Sequence, residues 1–249
     1  MQMTRRLVIG GRPLAPRSMH AHLALSTIGT AQLRLGPEAL TPGPADREAI
    51  HALLSVAKGQ LAECFLSVAG GSDYLILMGA VTQVTPGQGE YQVTIRELCA
   101  ILDYPAALYF RHKSAREIVA EIELRSRLHF LVPSQARYLE ERRPVFQSTG
   151  SFRSALEKVI QMWELPDTVW YQLPDGTMFF GPWRAGPFNK ADVPVDERLV
   201  LEQNLNARTL RLPLIPALRP GMVVNCGSRF RIDALDFEDE TMLIHWTRL

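Results

Sequence analysis

Two histidines one residue apart, His20 and His22, are the first side chains whose type and spacing could bind a metal ion. On a β-strand they would share a face, because successive side chains of a strand point to opposite sides. A structural zinc site takes about four ligands, and no third ligand stands near this pair in the sequence. The spacing therefore favours surface histidines, and we predict no metal site and no cofactor.

Acidic residues near the C-terminus could bind calcium through their carboxylates: Asp236, Glu238, Asp239 and Glu240. An EF-hand loop needs a regular ligand spacing, with a glycine in the middle of the loop and a distant closing glutamate. The acidic run lacks this pattern. A solvated tip between two strands explains these side chains better, and we predict a hairpin there.

Adjacent carboxylates at Glu140 and Glu141 suggest glycoside cleavage, which two carboxyl groups perform when they flank the scissile bond. They stand in the charged sequence Glu140-Glu141-Arg142-Arg143, which is typical of a solvated surface. The chain has no Gly-x-Ser-x-Gly nucleophile elbow, no P-loop and no Gly-x-Gly-x-x-Gly sequence. We therefore predict no catalytic, cofactor-binding or metal-ligating residues, and a protein that is not an enzyme.

The charge balance argues against nucleic acid as a partner. The 249 residues include 27 lysines and arginines and 26 aspartates and glutamates, which gives a formal net charge of +1. Binding to phosphates depends on an excess of basic residues on one face. We predict no recognition of a specific nucleic-acid sequence.

The cysteines Cys64, Cys99 and Cys226 are far apart and odd in number, whereas disulfide frameworks and zinc sites need even, closely spaced sets. They indicate thiols in a reducing compartment.

The longest apolar run, Leu75–Val81, has seven residues, and a membrane helix needs about twenty. The apolar stretch Leu7–Ile9 is too short for a signal-peptide core. We predict a chain without a membrane span that folds in the cytoplasm.

Aromatic residues are dense in one part of the chain: Trp163, Trp170, Tyr171, Phe179, Phe180 and Trp183. Aromatic side chains are enriched in cores and at protein interfaces. We predict that most of them form core. Trp183 and Phe188, beside Gly181-Pro182 and Gly186-Pro187, are the predicted interface residues.

Alternation of apolar and polar residues predicts strands at the C-terminus, because side chains of a strand alternate between two faces. Turn residues at Pro220-Gly221, Cys226-Gly227 and Glu238-Asp239-Glu240 separate these strands. The pattern predicts a small antiparallel barrel. Its predicted core residues include Phe230, Ile232, Met242, Ile244 and Trp246.

The N-terminal part predicts a first antiparallel barrel that closes near residue 93. Its strands are predicted at Leu7–Ile9, His22–Leu25, Leu61–Val68, 74–85 and 90–93. Asp46 is a candidate cap for a short helix that continues to Leu54. Turn sequences at Gly70-Gly71-Ser72-Asp73 and Pro86-Gly87-Gln88-Gly89 separate the later strands.

Helices and short strands are predicted between the two barrels. Thr94-x-x-Glu97 and Ser114-x-x-Glu117 match the capping box that opens helices. Ser151 precedes a run of apolar residues at the helical period. A strand at Leu128–Val132 and a hairpin around Pro174-Asp175-Gly176 complete this segment.

These elements predict an α+β, mainly β fold, in which two small antiparallel β-barrels are separated by a mixed α/β insert. The predicted domains are residues 1–103 for the first barrel, 104–190 for the insert and 191–249 for the second barrel.

The order of elements resembles the baseplate and tail-tip hub proteins of tailed phages. This late-control-D-like family is related to the hub portion of type VI secretion spikes. The resemblance covers most of the chain from about residue 60 and rests on loose hydrophobic and turn motifs. The motifs are Leu77-Met78-Gly79-Ala80-Val81, Tyr91-Gln92-Val93-Thr94, Leu98–Leu102, 111–119, Pro174-Asp175-Gly176 and 214–222.

The resemblance implies a homotrimer in which two barrels per copy form a six-sided ring. That ring would join the hexameric tail tube to the trimeric spike, as a structural part of the virion tail assembled in the host cytoplasm. Implied partners are tail tube or distal tail proteins, spike or tail-fibre proteins and the tape measure protein. The family has no catalytic residues in its hub portion, and this chain lacks the fused lysozyme and the needle of larger members.

Two other functions stay open from the sequence. A tail-associated cell-wall hydrolase would need acids with shifted pKa values in a deep cleft. A small-ligand-binding barrel would need an internal pocket, although barrels of this size are usually filled by their own side chains.

Overall fold

The computed structural model describes residues 3–39, 47–68, 72–134 and 137–249. The chain divides into two compact units, one formed by Met1–Glu97 with Lys190–Leu249 and the other by Leu98–Asn189. Across the described residues strands far outnumber helices, so the predicted α+β, mainly β class is confirmed. Among the described residues, no helix is long and apolar enough to cross a membrane.

The elements have the following bounds. The N-terminal segment forms β1 (Met3–Ile9), β2 (Arg12–Leu14), β3 (Ser18–Ala24), β4 (Thr30–Leu35), α1 (Arg47–Ser55), β5 (Leu61–Val68), β6 (Asp73–Pro86) and β7 (Tyr91–Glu97). The middle segment forms β8 (Pro105–Ser114), α2 (Ala115–Ser126), β9 (Phe130–Leu131), β10 (Arg142–Ser151), α3 (Phe152–Met162), β11 (Thr168–Gln172) and β12 (Met178–Pro182). The C-terminal segment forms β13 (Val193–Pro194), β14 (Glu202–Asn204), β15 (Thr209–Pro213), β16 (Val223–Cys226), β17 (Ser228–Glu238) and β18 (Thr241–Arg248). Short 3-10 helices lie at Leu98–Asp103, Arg137–Glu140, Trp183–Ala185 and Glu197–Leu199.

One sheet holds thirteen of the described strands. Its order is β14-β15-β18-β17-β3-β4-β7-β6-β5-β1-β2, and β16 pairs with β17 while β13 pairs with β16. The strands that the sequence assigned to two barrels are thus parts of one sheet, joined where β17 pairs with β3. Among the described residues no closed barrel is found, so the two-barrel prediction is not confirmed. The predicted boundaries at residues 103 and 190 stay predictions.

The same strand order occurs twice within this sheet. We call β3-β4-β7-β6-β5-β1 the first strand set and β14-β15-β18-β17-β16-β13 the second strand set. Corresponding strands also follow the same order along the chain, and β2 has no counterpart. The pairings agree in direction except that β1 pairs antiparallel with β5, whereas β13 pairs parallel with β16.

Alternating burial in the C-terminal strands confirms the prediction from the apolar pattern. Phe230, Ile232, Met242 and Ile244 are buried in the core. Trp246 is only half-buried and packs its ring against Phe230, with 5.5 Å between the ring centroids. The acidic residues Asp239 and Glu240 form the turn between β17 and β18, so the predicted hairpin is confirmed.

The N-terminal strands lie close to their predicted positions and extend further, since β1 begins at Met3 and β3 at Ser18. Helix α1 is also confirmed, and Ile50, Leu53 and Leu54 are buried as one face of it. Its predicted cap, Asp46, lies outside the described residues, as does the Gly70-Gly71 turn.

The capping box predicted at Thr94-x-x-Glu97 is wrong. Strand β7 continues through Glu97, and a short 3-10 helix follows at Leu98–Asp103. The buried side chain of Glu97 accepts a hydrogen bond from the backbone N–H of Gly29 at 2.6 Å instead of reaching back to a helix cap. Alternation of buried Val93, Ile95 and Glu97 therefore overrides the local cap signal.

The other two helix starts are confirmed. Ser114 caps α2: its hydroxyl accepts from the Glu117 N–H, and Glu117 accepts from the Ser114 N–H at 2.8 Å. Ser151 caps α3 in the same way, with Ser154 as the reciprocal residue. The predicted strand at Leu128–Val132 is shortened to β9, which pairs with β12.

Candidate assembly surfaces

The two histidines of the predicted His-x-His pattern have different surroundings. His20 is exposed, whereas His22 on β3 places Nδ1 2.7 Å from Oδ1 of Asp236 on β17. The other oxygen of Asp236, Oδ2, lies 3.0 Å from Nε2 of His245 on β18. One carboxylate therefore bridges two imidazoles on three neighbouring strands. In the described part of the chain, no set of three or more histidine, cysteine, aspartate or glutamate side chains is arranged to hold a metal ion.

The sequence did not reveal the partners of His22. Asp236 lies 214 residues away, and it reaches His22 only because β17 pairs with β3. The hydrogen bond to Asp236 raises the pKa of His22, and the bond with His22 lowers the pKa of Asp236. Each side chain stabilises the charged form of the other, so the pair acts as a polar clamp across the junction of β17 and β3.

We expect this clamp to make folding stability depend weakly on pH. The raised His22 pKa adds stability that is complete below its ordinary value of 6.5 and is lost as pH rises through the higher folded value. The lowered Asp236 pKa adds stability above 3.8 that is lost as pH falls through the lower folded value. The clamp therefore stabilises the fold most between pH 3.8 and pH 6.5, the ordinary pKa values of Asp236 and His22. Because about a third or more of each side chain is exposed, the gain should stay below about 1 kcal/mol.

Urea unfolding of the protein and of His22→Gln at pH 5.5 and pH 8 measures this effect. The unmodified protein should lose more stability than His22→Gln as the pH rises from 5.5 to 8. An equal change in both proteins would contradict the role of His22.

The predicted acidic tip is held by basic side chains. Glu238 accepts from Arg211 Nη1 at 2.5 Å, and the carboxylate of Asp239 lies 3.2 Å from Arg5 Nη2. A cleft of about 670 Å³ beside the tip is lined by groups of both signs, including Arg17 and His20. Ion pairs between strands account for these acids, in agreement with a structural tip.

The other candidates for chemistry are dispersed. Glu140 and Glu141 are exposed. Glu140 forms an ion pair with Arg116 at 2.6 Å, and Glu141 forms one with Arg143 at 3.3 Å. Burial raises the pKa of the Cys64 thiol to about 12. Cys64 and Cys99 are buried, whereas Cys226 is only half-buried.

The aromatic residues belong to the core of the unit formed by Leu98–Asn189, the middle unit. All six are buried: Trp163, Trp170, Tyr171, Phe179, Phe180 and Trp183. Trp183 was predicted at an interface, and its burial shows that this prediction is wrong. Phe188 is half-buried and stacks on Tyr171 with 5.7 Å between ring centroids. Trp183 begins a short 3-10 helix between the two Gly-Pro sequences, and its side chain lies in the core.

Exposed apolar side chains lie next to β14, at the end of the large sheet. Leu199, Leu201 and Leu205 are 42%, 56% and 67% exposed. An apolar groove of about 250 Å³ lies on the same unit, between α1 and the hairpin of β6 and β7. Strand edges and apolar patches of this kind are typical of surfaces that other chains cover.

The glycine in the motif Leu77-Met78-Gly79-Ala80-Val81 has a steric reason. Gly79 on β6 approaches β7 so closely that a Cβ atom would lie 2.0 Å from the carbonyl oxygen of Arg96. No larger residue fits unless one of the strands moves. This motif therefore marks a close strand contact and no chemical site.

Comparison with known sequences gives one phage relative. No family model matches the chain. Over 151 residues it is 28% identical to an uncharacterized 58.7 kDa protein encoded in the lys 3′ region of Haemophilus phage HP1 (strain HP1c1). The match covers 61% of this chain and 28% of that protein, so the chain matches less than a third of the relative's length.

Comparison with solved structures gives whole-chain matches. The 43 kDa tail protein of prophage MuSo2 from Shewanella oneidensis has a TM-score of 0.69 at 12% identity, over 100% of this chain and 98% of that chain. A tail protein from Neisseria meningitidis MC58 has a TM-score of 0.65 at 9% identity, over 100% and 97%. A component of the E. coli type VI secretion system, described as structurally similar to the T4 tail proteins gp27 and gp5, has a TM-score of 0.65 at 13% identity, over 98% and 76%.

These identities are low, and the matches concern the fold. The chain has the fold of phage tail proteins and of a type VI secretion component, which confirms the resemblance predicted from its sequence.

Proposed function

We propose that this chain is a structural component of a phage tail baseplate or tail tip, and that it acts as a homotrimeric central hub. The hub joins the hexameric tail tube on one side to a trimeric spike on the other. Its partners are tail tube or distal tail proteins, spike or tail-fibre proteins and the tape measure protein. It works in the virion after assembly in the host cytoplasm, and it works by binding, without catalysis.

The observation that carries this proposal is the repeated strand order. Each chain contains two strand sets with the same order in one sheet. Three copies would therefore present six similar strand sets around a three-fold axis, and such a ring can match six-fold and three-fold neighbours at once. Each strand set would act as one of the two small barrels in the ring. Permanent interfaces of this kind commonly bury more than about 2,000 Å².

The oligomeric mass tests the hub. Light scattering coupled to size exclusion should give a trimer of three times 27.9 kDa, alone or after addition of the tail partners. A stable dimer that these partners leave unchanged would contradict the three-fold hub.

A further inference from the structure

The sheet formed by β8 and β10 in the middle unit has only two strands, and we call it the ribbon. Its register pairs Pro105–Ser114 antiparallel with Arg142–Ser151. One face of the ribbon is covered, since Phe146 is buried there and packs against Trp163 with 6.0 Å between the ring centroids. Among the described residues no third strand pairs with β8 or with β10. The ribbon therefore has two strand edges without a neighbouring strand.

The opposite face of the ribbon is exposed along three successive pairs of residues. The pairs are Ala107 with Thr149, Tyr109 with Gln147, and Arg111 with Val145. The side chains between these pairs point to the covered face, where Leu108 and Ser148 are buried. Tyrosine and arginine are among the residue types that contribute most of the binding energy at protein interfaces. The exposed face of β8 carries one of each, and Tyr109 is 54% exposed.

The alternation of the ladder determines which backbone groups face the open edge of β8. The Phe152 N–H donates to Tyr104 O at 3.4 Å, one pair beyond the ends of the two strands. Antiparallel pairs alternate between hydrogen-bonded and non-hydrogen-bonded ones. Every second residue of β8, counted from Tyr104, is therefore bonded to β10. The residues between them, which direct their N–H and C=O groups to the open edge, are Ala107, Tyr109 and Arg111.

The open edge of β8 is suited to pairing with another strand. Its outward N–H and C=O groups form no hydrogen bond with any described residue. Proteins protect exposed edges with proline and with charged side chains, and Ala106–Phe110 contains neither. Strand β10, by contrast, contains Pro144 and Gly150, and both residue types weaken strand pairing. Of the two edges, β8 is the one that can accept a further strand.

Arg111 gives this edge a positive charge that has no acidic partner in the described part of the chain. Its Nε donates to the Tyr109 hydroxyl oxygen at 2.9 Å. The other basic residues of the ribbon each lie within 3.5 Å of a glutamate, and they are Lys113, Arg142 and Arg143. Neither strand of the ribbon contains an aspartate or a glutamate. A partner that binds at this edge is therefore expected to place a carboxylate beside Arg111.

We propose that β8 accepts an acidic, extended segment of another protein as a third strand of the ribbon. An open strand edge presents donors and acceptors at the spacing of an extended backbone, which a peptide matches and a nucleic acid or a lipid does not. The added segment bonds to the outward groups of Ala107, Tyr109 and Arg111, and its carboxylate pairs with the guanidinium. The contact lies within the middle unit, so it stands whether or not the chain forms a trimeric hub.

A designed peptide tests this edge. The probe is a fluorescein-labelled peptide with blocked ends and the sequence Glu-Val-Thr-Val-Thr-Val-Glu, in which alternate side chains share a face. A glutamate at each end allows a carboxylate to reach Arg111 whichever way the peptide runs. Fluorescence anisotropy with the full chain should give a dissociation constant below about 1 mM. A second peptide with lysine in place of both glutamates should bind at least about tenfold more weakly.

Variants of the chain separate edge pairing from other contacts. Arg111→Glu should weaken binding of the acidic peptide by about tenfold or more, whereas Lys158→Glu, at an exposed position of α3, changes the net charge equally and should have no effect. Ala107→Pro removes an outward N–H without breaking a bond to β10, and it should also weaken binding. Its matched control is Thr149→Pro at the paired position of β10, which should leave binding unchanged. Circular dichroism checks that each variant folds, and Arg111→Glu carries the test if Ala107→Pro does not.

Amide hydrogen exchange gives a readout at single residues. The acidic peptide should slow exchange most at Tyr109 and Arg111, whose N–H groups face the open edge. The amides of Leu108 and Phe110 should change less, because they already bond to β10. Equal slowing at all four amides would show that the peptide lies on a face of the ribbon, and it would overturn the strand addition.

Other results would also overturn the proposal. These are no binding of the acidic peptide at the highest soluble protein concentration, equal binding of the lysine peptide, and equal weakening by the two proline variants. A changed mass of Ala107→Pro in solution without peptide would assign the edge to a second copy of the chain. Binding of a labelled single-stranded DNA that Arg111→Glu abolishes would assign the surface to phosphate. The trimeric hub is tested separately by its mass, so either proposal can fail alone.

Discussion

Ile232→Asp is expected to yield no folded protein. Ile232 is fully buried in β17, where its side chain belongs to the core of the large sheet. Full burial of an isoleucine side chain contributes about 1.5–3 kcal/mol. An aspartate there loses this contribution and also places an unpaired carboxyl group in an apolar environment. We expect the total loss to be about 5 kcal/mol or more, which equals the entire stability of many domains.

Two variants make the test of Ile232 specific. Ile232→Val removes one methyl group and should cost about 1 kcal/mol. Val56→Asp introduces the same charge at a side chain that is 62% exposed, and it should leave the fold intact. Circular dichroism and urea unfolding of the soluble fraction measure all three. A cooperative unfolding transition of Ile232→Asp near that of the unmodified protein would contradict the placement of Ile232 in the core.

Elements with a strong local pattern were predictable. The alternating apolar residues located β15, β17 and β18, and the Ser114 and Ser151 caps located α2 and α3. Such signals depend on neighbours within one turn or one strand, which the sequence displays directly. The Thr94 box failed because the same four residues also fit a strand, and burial of Ile95 and Glu97 in the sheet decided between the two.

Contacts between distant segments were not predictable. The sequence indicated two separate barrels, because nothing local marks the pairing of Ala234–Phe237 with Ala21–Ala24 that merges the two strand sets. For the same reason the partners of His22 were missed. The match between the two strand sets likewise depends on pairings between strands that are far apart in the sequence, and those pairings follow from the assembled sheet.

Loss of the Arg219 guanidinium is expected to destabilise the protein by about 3 kcal/mol. Arg219 is 9% exposed and lies in the segment between β15 and β16. Its Nη1 donates to the carbonyl oxygens of Pro216 and Leu218, each at 2.7 Å, and its Nη2 donates to Leu75 O at 2.6 Å. The guanidinium thus ties this segment to β6 through backbone carbonyls.

The effect should be large because the cation and two of its three partner residues, Pro216 and Leu218, are buried. Burial lowers the pKa of Arg219 to about 10, so the side chain stays protonated at neutral pH and carries its charge into the fold. The carbonyl hydrogen bonds offset the cost of desolvating it. Without the guanidinium the carbonyls of Pro216 and Leu218 lose a buried donor, and each such loss costs about 1–3 kcal/mol before any water enters.

Urea unfolding of three variants tests this role. Arg219→Met keeps most of the apolar stem and removes the donors, so it should show nearly the full loss. Arg219→Lys keeps a charge but lacks the planar guanidinium that donates to several acceptors at once. Its stability should therefore lie between that of Arg219→Met and that of the unmodified protein. Arg198→Ala is the control: its side chain is 89% exposed and pairs with Asp196, and the change should stay within about 0.5 kcal/mol. If Arg219→Met unfolds at the same urea concentration as Arg198→Ala, the carbonyl contacts of Arg219 do not hold this segment to β6.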